Sequence, residues 1–372
     1  MKNIDQLPNE PFVGKKIFLV NFKKRYTRDT QEEITELQSL SRTLGFVILK
    51  EYLIKLNYVN PATYLGAGKL NELKKDTDVL TPSFIVFSDD LSPIQQRNLE
   101  ESLGLQVIDR TGLILHIFGN HAKTKEGKIQ VELAQLDYIL SRLTGHGIEL
   151  SRIGGGFATK GPGEMKLEVH RRRIKSRIYK LRREIKGVEK HRKIIRESKR
   201  RENFPVVALM GYTNVGKSRL LNRLSSSDLY VANKLFATLD PVTRAVHIGN
   251  EKICLVSDTV GLLYNIPHHL IEAFKSTLEE VKYADLIMVV FDISKNNLAR
   301  QKDTVSDVFK MLGVDDKKRI DVYNKIDLLA PEEKNIMQNN LSDGVLVSAV
   351  TGEGIENLKE RLRENLYDYE RV

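Results

Sequence analysis

The chain has 372 residues, 41% of them hydrophobic, a single cysteine and a formal net charge of +10. Its length predicts two or three domains, no run approaches the roughly 20 apolar residues of a membrane-spanning helix, and the N-terminus, with Asn3, Asp5 and Glu10, lacks a secretory pattern. One cysteine, Cys254, excludes an internal disulfide framework and a cysteine-rich metal site, so a cytoplasmic protein that meets no membrane is expected.

In chain order, residues 16–20 and 46–49 read as strands around a polar helix at about 29–42. A turn at Gly66, Ala67, Gly68 and Lys69 leads into a short helix. A strand at 84–87, a helix after Pro93 and a strand at 106–108 follow. Alternating strands and helices imply an α/β domain with a largely parallel sheet over residues 1–128. The tetrad Gly66 to Lys69 is too short to be a phosphate loop, so no second nucleotide site is read there.

Next, Val131, Leu133, Ala134, Leu136, Ile139, Leu140 and Leu143 recur mostly every three to four residues, which makes one face of a helix apolar. Beyond a glycine-rich stretch at 154–163, Ile174, Ile178, Leu181, Ile185 and Val188 step by 4, 3, 4 and 3, the spacing of a coiled-coil seam. Two amphipathic helices joined by a loop predict an antiparallel helical hairpin over 129–202. Residues 166–201 hold 17 lysines and arginines against 4 glutamates, an excess of 13 that exceeds the whole chain's +10. The basic character therefore lies in this one stretch, as expected of something that meets a polyanion.

Phe204 and Pro205 open a third segment, 203–372. The apolar strand 206–210 runs into Gly211, Tyr212, Thr213, Asn214, Val215, Gly216, Lys217 and Ser218, with a helix from about Arg219. Strand, glycine loop and helix in that order form a phosphate loop. Its amides and the helix N-terminus aim donors at phosphates, Lys217 reaches the β- and γ-phosphates, and the Ser218 hydroxyl ligates Mg²⁺. Asp258, Thr259, Val260 and Gly261 end the strand 253–256, placing a carboxylate to hold Mg²⁺ through water and an amide to sense the γ-phosphate.

Asn324, Lys325, Ile326 and Asp327 follow a strand at 320–323. A carboxylate at Asp327 accepts from guanine N1–H and its amine. Adenine lacks that donor pair and would leave the carboxylate unsatisfied, so a guanine nucleotide, GTP or GDP, is expected. Asn324 meets N7, the Lys325 stem covers the base, and Ser348 with Ala349 completes the pocket. Between the first two motifs lies Phe236, Ala237, Thr238, Leu239, Asp240, Pro241, Val242, Thr243 and Arg244, where a switch threonine belongs; Thr238 and Thr243 both qualify by position. The fold expected for 203–372 is a P-loop GTPase domain with a mostly parallel sheet.

These residues are similar to the HflX-type GTPases: 236–244, the Asp258 motif running into Ile266, Pro267 and His268, then Ala273, Phe274 and Thr277 to Glu280. Upstream, Gly154 to Gly156, Lys160 to Glu164, Leu167, Glu168, Arg171, Arg172 and Gly66 to Lys69 extend the resemblance over nearly the whole chain. The resemblance selects Thr238 over Thr243 as the switch and Mg²⁺ ligand. It implies a partner in the large ribosomal subunit and its RNA, with a role in separating or rescuing stalled ribosomes or in assembly. The RNA contacts expected are Lys160 and Arg171 to Arg173, on a protein that is otherwise a monomer.

The chain departs from the family pattern at Phe157, Ala158, Lys160 and Leu262. Leucine directly after Gly261 cannot orient a water as a glutamine there does, so slow intrinsic hydrolysis, accelerated by a partner, is expected of an enzyme whose catalytic groups are Lys217, Thr238 and Gly261. An RNA-binding scaffold with a structural nucleotide site is the competing reading. Intact Lys217, Ser218 and Asp258 favour hydrolysis.

Overall fold

The computed structural model describes residues 12–24, 30–143, 162–201, 204–225, 242–262, 280–295, 297–341 and 343–367. The chain divides into two compact units, Met1–Asn120 with Lys128–Lys186, and His121–Gly127 with Gly187–Val372.

The first unit holds strands β1 (Lys16–Lys24), β2 (Val47–Leu56), β3 (Phe84–Phe87) and β4 (Gln106–Ile108) in the order β2-β1-β3-β4, every pair parallel. Helices α1 (Thr30–Thr43), α2 (Ala67–Leu80) and α3 (Pro93–Leu103) make the crossovers. Phe18, Val20, Phe22, Ile85 and Phe87 point to one face and form a core with Leu73, Leu99 and Leu103 from the helices, which is the period-two alternation at work. Helix α3 is capped as its sequence directs. The Ser92 hydroxyl accepts from the Gln95 amide, Pro93 sits at the first helical position and Gly104 closes the C-terminus in the left-handed region.

Three elements depart from expectation. Strand β2 runs to Leu56, past the expected end at 49, because Tyr52 and Ile54 also alternate into the core. Ala67 to Lys69 are already helical and Gly66 is the cap of α2, so this tetrad is a helix start and not a turn. Helix α4 (Arg110–His121) was not anticipated at all: residues 111–118 are buried on every side, and a helix without a polar face has no 3.6-residue pattern to reveal it.

Helices α5 (Lys125–Leu143) and α6 (Pro162–Arg201) pack through Leu143, Ile174 and Ile178, with Leu133, Leu136, Ile139 and Leu140 against them. Ion pairs Arg177–Glu132 and Arg182–Asp137 flank this contact. Leu181 is also buried, whereas Ile185 and Val188 are only partly so. The linker at 144–161, including Lys160, lies outside the described residues.

The second unit is built on a six-stranded sheet in the order β10-β9-β8-β5-β7-β6: β5 (Val206–Gly211), β6 (Val242–His247), β7 (Ile253–Asp258), β8 (Leu286–Asp292), β9 (Arg319–Asn324) and β10 (Val345–Val347). All pairs are parallel except β6 with β7. Helices α7 (Lys217–Ser225), α8 (Leu298–Leu312), α9 (Pro331–Asn340) and α10 (Ile355–Tyr367) complete it. Cys254 is fully buried in β7, and burial pushes its thiol up to about 12, which disfavours the thiolate. No helix among the described residues is long and apolar enough to cross a membrane.

Candidate functional site

In a parallel sheet, neighbouring strands leave on opposite faces where the order reverses, and the carboxyl ends there form a crevice. Strand β5 lies at that point, with β7 on one side and β8 on the other. The carboxyl ends of β5, β7, β9 and β10 carry the four sequence motifs. Segments separated by more than a hundred residues thus meet at one edge.

Helix α7 begins at Lys217 rather than near Arg219, so the Lys217 and Ser218 amides belong to the helix N-terminus, the end that attracts anions. The loop before it needs its glycines. Gly211 has φ +147° and a Cβ there would lie 2.2 Å from the Val290 carbonyl oxygen; Gly216 has φ +97° and a Cβ would lie 2.4 Å from Asn324 Nδ2. Asn214 also sits in the left-handed region, φ 62°. Lys217 is buried and its Nζ donates to the Gly211 and Tyr212 carbonyls at 3.0 and 2.8 Å. Burial lowers its pKa to about 8, opposed by Asp258.

Ser218 Oγ donates to Asp258 Oδ2 at 2.5 Å, joining two of the three expected Mg²⁺ groups. The Asp258 loop is tied to the phosphate loop. Thr259 Oγ1 donates to the Leu209 carbonyl, Leu262 N to the Gly211 carbonyl and Thr213 N to the Leu262 carbonyl. Val260, Gly261 and Leu262 are buried, and a Cβ on Gly261 would lie 2.8 Å from Thr213 Cα and 3.1 Å from Lys217 Nζ. Leu262 therefore presents no polar side chain beside the lysine. Thr243 lies within β6 opposite Ser257, its hydroxyl hydrogen-bonded to the Ser257 hydroxyl at 2.7 Å. Phe236, Ala237, Thr238, Leu239 and Asp240 lie outside the described residues.

At the other end of the crevice, Asn324 is buried and holds two loops at once. Its Nδ2 donates to the Val215 carbonyl at 2.7 Å and its Oδ1 accepts from Ala349 N at 3.0 Å. Lys325, φ 72°, pairs with Asp292 Oδ2 at 2.6 Å. Asp327 Oδ1 accepts from Ser348 Oγ at 2.6 Å, and Ser348 Oγ in turn accepts from the Val350 and Thr351 amides. This network orients a carboxylate and leaves it acceptor capacity for a ligand's N–H groups.

Sequence reasoning missed Asp292, which ends β8, is buried, and is bound through its backbone to the Gln301 side chain. An acidic residue closing an apolar strand at a carboxyl edge is the signal that pointed to it. Val350, 53% exposed though apolar, stands next to Ala349 at the same edge.

Known proteins match this arrangement along the chain. Residues 31–119, 121–199 and 206–325 match the families described as GTP-binding GTPase N-terminal, GTP-binding GTPase Middle Region and 50S ribosome-binding GTPase. The GTPase HflX of Lacrimispora saccharolytica is 45% identical over 347 residues, covering 93% of this chain and 82% of that protein. GTPase HflX of Caldanaerobacter subterraneus is 43% identical over 339 residues, 91% and 78% covered, and that of Escherichia coli 38% over 344, 92% and 81% covered. Among solved structures, the complex of SsGBP with GDP is 25% identical with a TM-score of 0.54, covering 96% of this chain and 99% of that one.

Proposed function

The chain belongs to the HflX family of GTPases and hydrolyses GTP, and from that premise we propose that its nucleotide state governs attachment to the large ribosomal subunit, in splitting, rescue or assembly of ribosomes. The observation that carries the reading is the joined base and phosphate site: Asn324 bonded to both loops, Asp327 aligned by Ser348, and Lys217 and Ser218 at a helix N-terminus.

In this reading Gly211 to Ser218 cradle the phosphates, Asn324, Lys325, Asp327, Ser348 and Ala349 take the guanine, and Gly261 senses the γ-phosphate. Phe236, Ala237, Thr238, Leu239 and Asp240 are assigned to nucleotide binding on the family resemblance, with Thr238 as the switch threonine. Thr243 supports that choice, since its hydroxyl is engaged with Ser257 in the sheet. The Ser218 hydroxyl and the Asp258 carboxylate, hydrogen-bonded to each other, are hard oxygen donors that fit Mg²⁺; they would hold it, Asp258 through water, together with the Thr238 hydroxyl. The ion supplies charge neutralisation at the β- and γ-phosphates. Because Leu262 brings no water-orienting group, the partner supplies the acceleration. The protein acts as a cytoplasmic monomer, with Lys160 and Arg171 to Arg173 on RNA phosphates; the three arginines are exposed along α6.

Cosedimentation with separated ribosomal subunits tests the reading. A non-hydrolysable GTP analogue is expected to retain the protein on the large subunit, GDP to release it, and added salt to weaken it. Reversing charge at Arg171, Arg172 and Arg173 should reduce both the affinity and the salt slope; equal binding by wild type and variant would reject the RNA contact.

Lys217 also sets a pH dependence. Burial lowers its pKa to about 8, and phosphate favours the charged form, so below that pH the lysine is ready. Above it the site must take up a proton on binding, and GTP affinity should fall by up to about tenfold per pH unit. Titration calorimetry at about pH 9 in two buffers of different ionisation enthalpy reads that uptake directly. Affinity and proton count that stay flat would place the lysine's charge outside the binding step.

A further inference from the structure

Helix α6 presents one face that takes no part in the nucleotide site. Tyr179 is 66% exposed, and among the described residues its ring makes no aromatic or cation contact. At about 100° per residue, Arg172, Lys175, Arg183 and Lys186 lie within roughly 40° of Tyr179 on the helix surface. All four are exposed. Lys175 and Arg183 stand one turn before and one turn after the ring. Among residues 168–188 of this strip, whose side chains are described, the one acid is Glu168, which pairs with Arg172.

The opposite side of the helix is the apolar seam, whose Ile174, Ile178 and Leu181 are buried. The strip is thus a separate surface with its own chemistry: a flat aromatic ring, unburied, between cations. We propose that this face binds single-stranded RNA, with Tyr179 stacking on an unpaired base and Lys175 and Arg183 on the phosphates either side.

The chemistry selects that occupant. Four cations require an anionic partner, and an aromatic platform among them fits a chain that alternates phosphate with an open π-face. A duplex buries its base faces in its own stack and offers the ring nothing. A lipid surface would need an apolar face to insert, and α6 has spent its apolar stripe on packing; among its described residues only Val169 and Tyr179 are large, apolar and exposed. The inference rests on the ribosomal reading above and sharpens it: the target is an unpaired RNA segment.

The chain contains no tryptophan, so Tyr179→Trp introduces the sole indole as a reporter at the site. The full chain, loaded with a GTP analogue, is titrated with a single-stranded RNA, with the same RNA annealed to its complement, with large ribosomal subunits and with anionic vesicles, over a salt series. Single strand and subunits are expected to quench the indole, and duplex to leave it unchanged. Tyr179→Ala should weaken single-strand and subunit binding about 5- to 100-fold with the salt slope unchanged, because stacking releases no counterions, while Tyr179→Phe binds like wild type. Lys175→Ala or Arg183→Ala should reduce the slope by about 0.7 each.

Tyr179→Ala binding both RNAs like wild type, or losing duplex and single strand equally, overturns the stacking proposal while leaving the ribosomal reading intact. Vesicle binding that depends on Tyr179, with RNA binding unaffected, assigns the face to a membrane and overturns it too. If wild type binds no RNA or subunit in any salt, the ribosomal reading falls and takes this proposal with it.

Discussion

Asp327→Asn is expected to weaken GTP binding by at least about 100-fold, because a buried site built around donor–acceptor pairs penalises each mismatch by the desolvation of an unsatisfied group. Guanine offers two N–H donors to the carboxylate. An amide offers one acceptor and one donor, so its NH₂ faces the guanine amine. Xanthine carries a carbonyl at that position and matches the amide, so the same variant should gain xanthosine triphosphate as a substrate. Ser348 Oγ, which now donates to Asp327 Oδ1, can still donate to the amide oxygen, and the loop should keep its conformation. Competition binding with GTP and xanthosine triphosphate measures the effect. Unchanged GTP preference in the variant would mean that Asp327 does not read the base.

The second large effect concerns stability. Asp109, at the carboxyl end of β4, is completely buried and accepts from Arg142, Tyr138 Oη, Gly112 N and Leu91 N. Arg142 lies in the last turn of α5, its guanidinium 3.3 Å from the centroid of the Tyr138 ring, and also donates to Gln96 Oε1. One ion pair therefore fastens α5 to the end of the sheet, just before the linker to the basic helix. Arg142→Met removes the cation and leaves the carboxylate buried, which costs about 3–5 kcal/mol, or roughly 10 °C in unfolding midpoint.

Burial already raises the Asp109 pKa and Arg142 opposes that rise, so in the variant the carboxyl is raised further. A folded-state pKa above the unfolded value means that the native state holds the extra proton. The deficit should accordingly be largest at neutral pH and shrink as pH falls through the carboxylate range. Adding Asp109→Asn to Arg142→Met should recover part of the loss at neutral pH. Melting curves of the two variants across pH check this; an Arg142→Met midpoint equal to wild type would show that the pair contributes nothing.

Much of the candidate site was legible in the chain because its chemistry is local. Gly211 to Ser218 and Asn324 to Asp327 each consist of a strand end and a turn, and the residue types carry the requirement: glycine where φ is positive or backbone approaches, lysine and hydroxyl where the proposed site would take phosphate and metal. The strand–helix alternation likewise identified the parallel sheet of the first unit. Helix α4 escaped because a segment buried on all sides has no polar phase, and the later half of β2 because its alternation, Tyr52 and Ile54, begins after Lys50 and Glu51 have interrupted it.

The sequence by itself therefore determined the guanine-nucleotide chemistry, the phosphate loop and the concentration of positive charge on one helix, since these depend on short spacings and composition. Only the tertiary structure decided which loops Asn324 joins, that Asp292 partners Lys325, that Thr243 belongs to the sheet through Ser257, and that Tyr179 faces away from the seam. Such pairings join residues up to 109 positions apart, and their geometry follows from strand order and register, which no local spacing encodes.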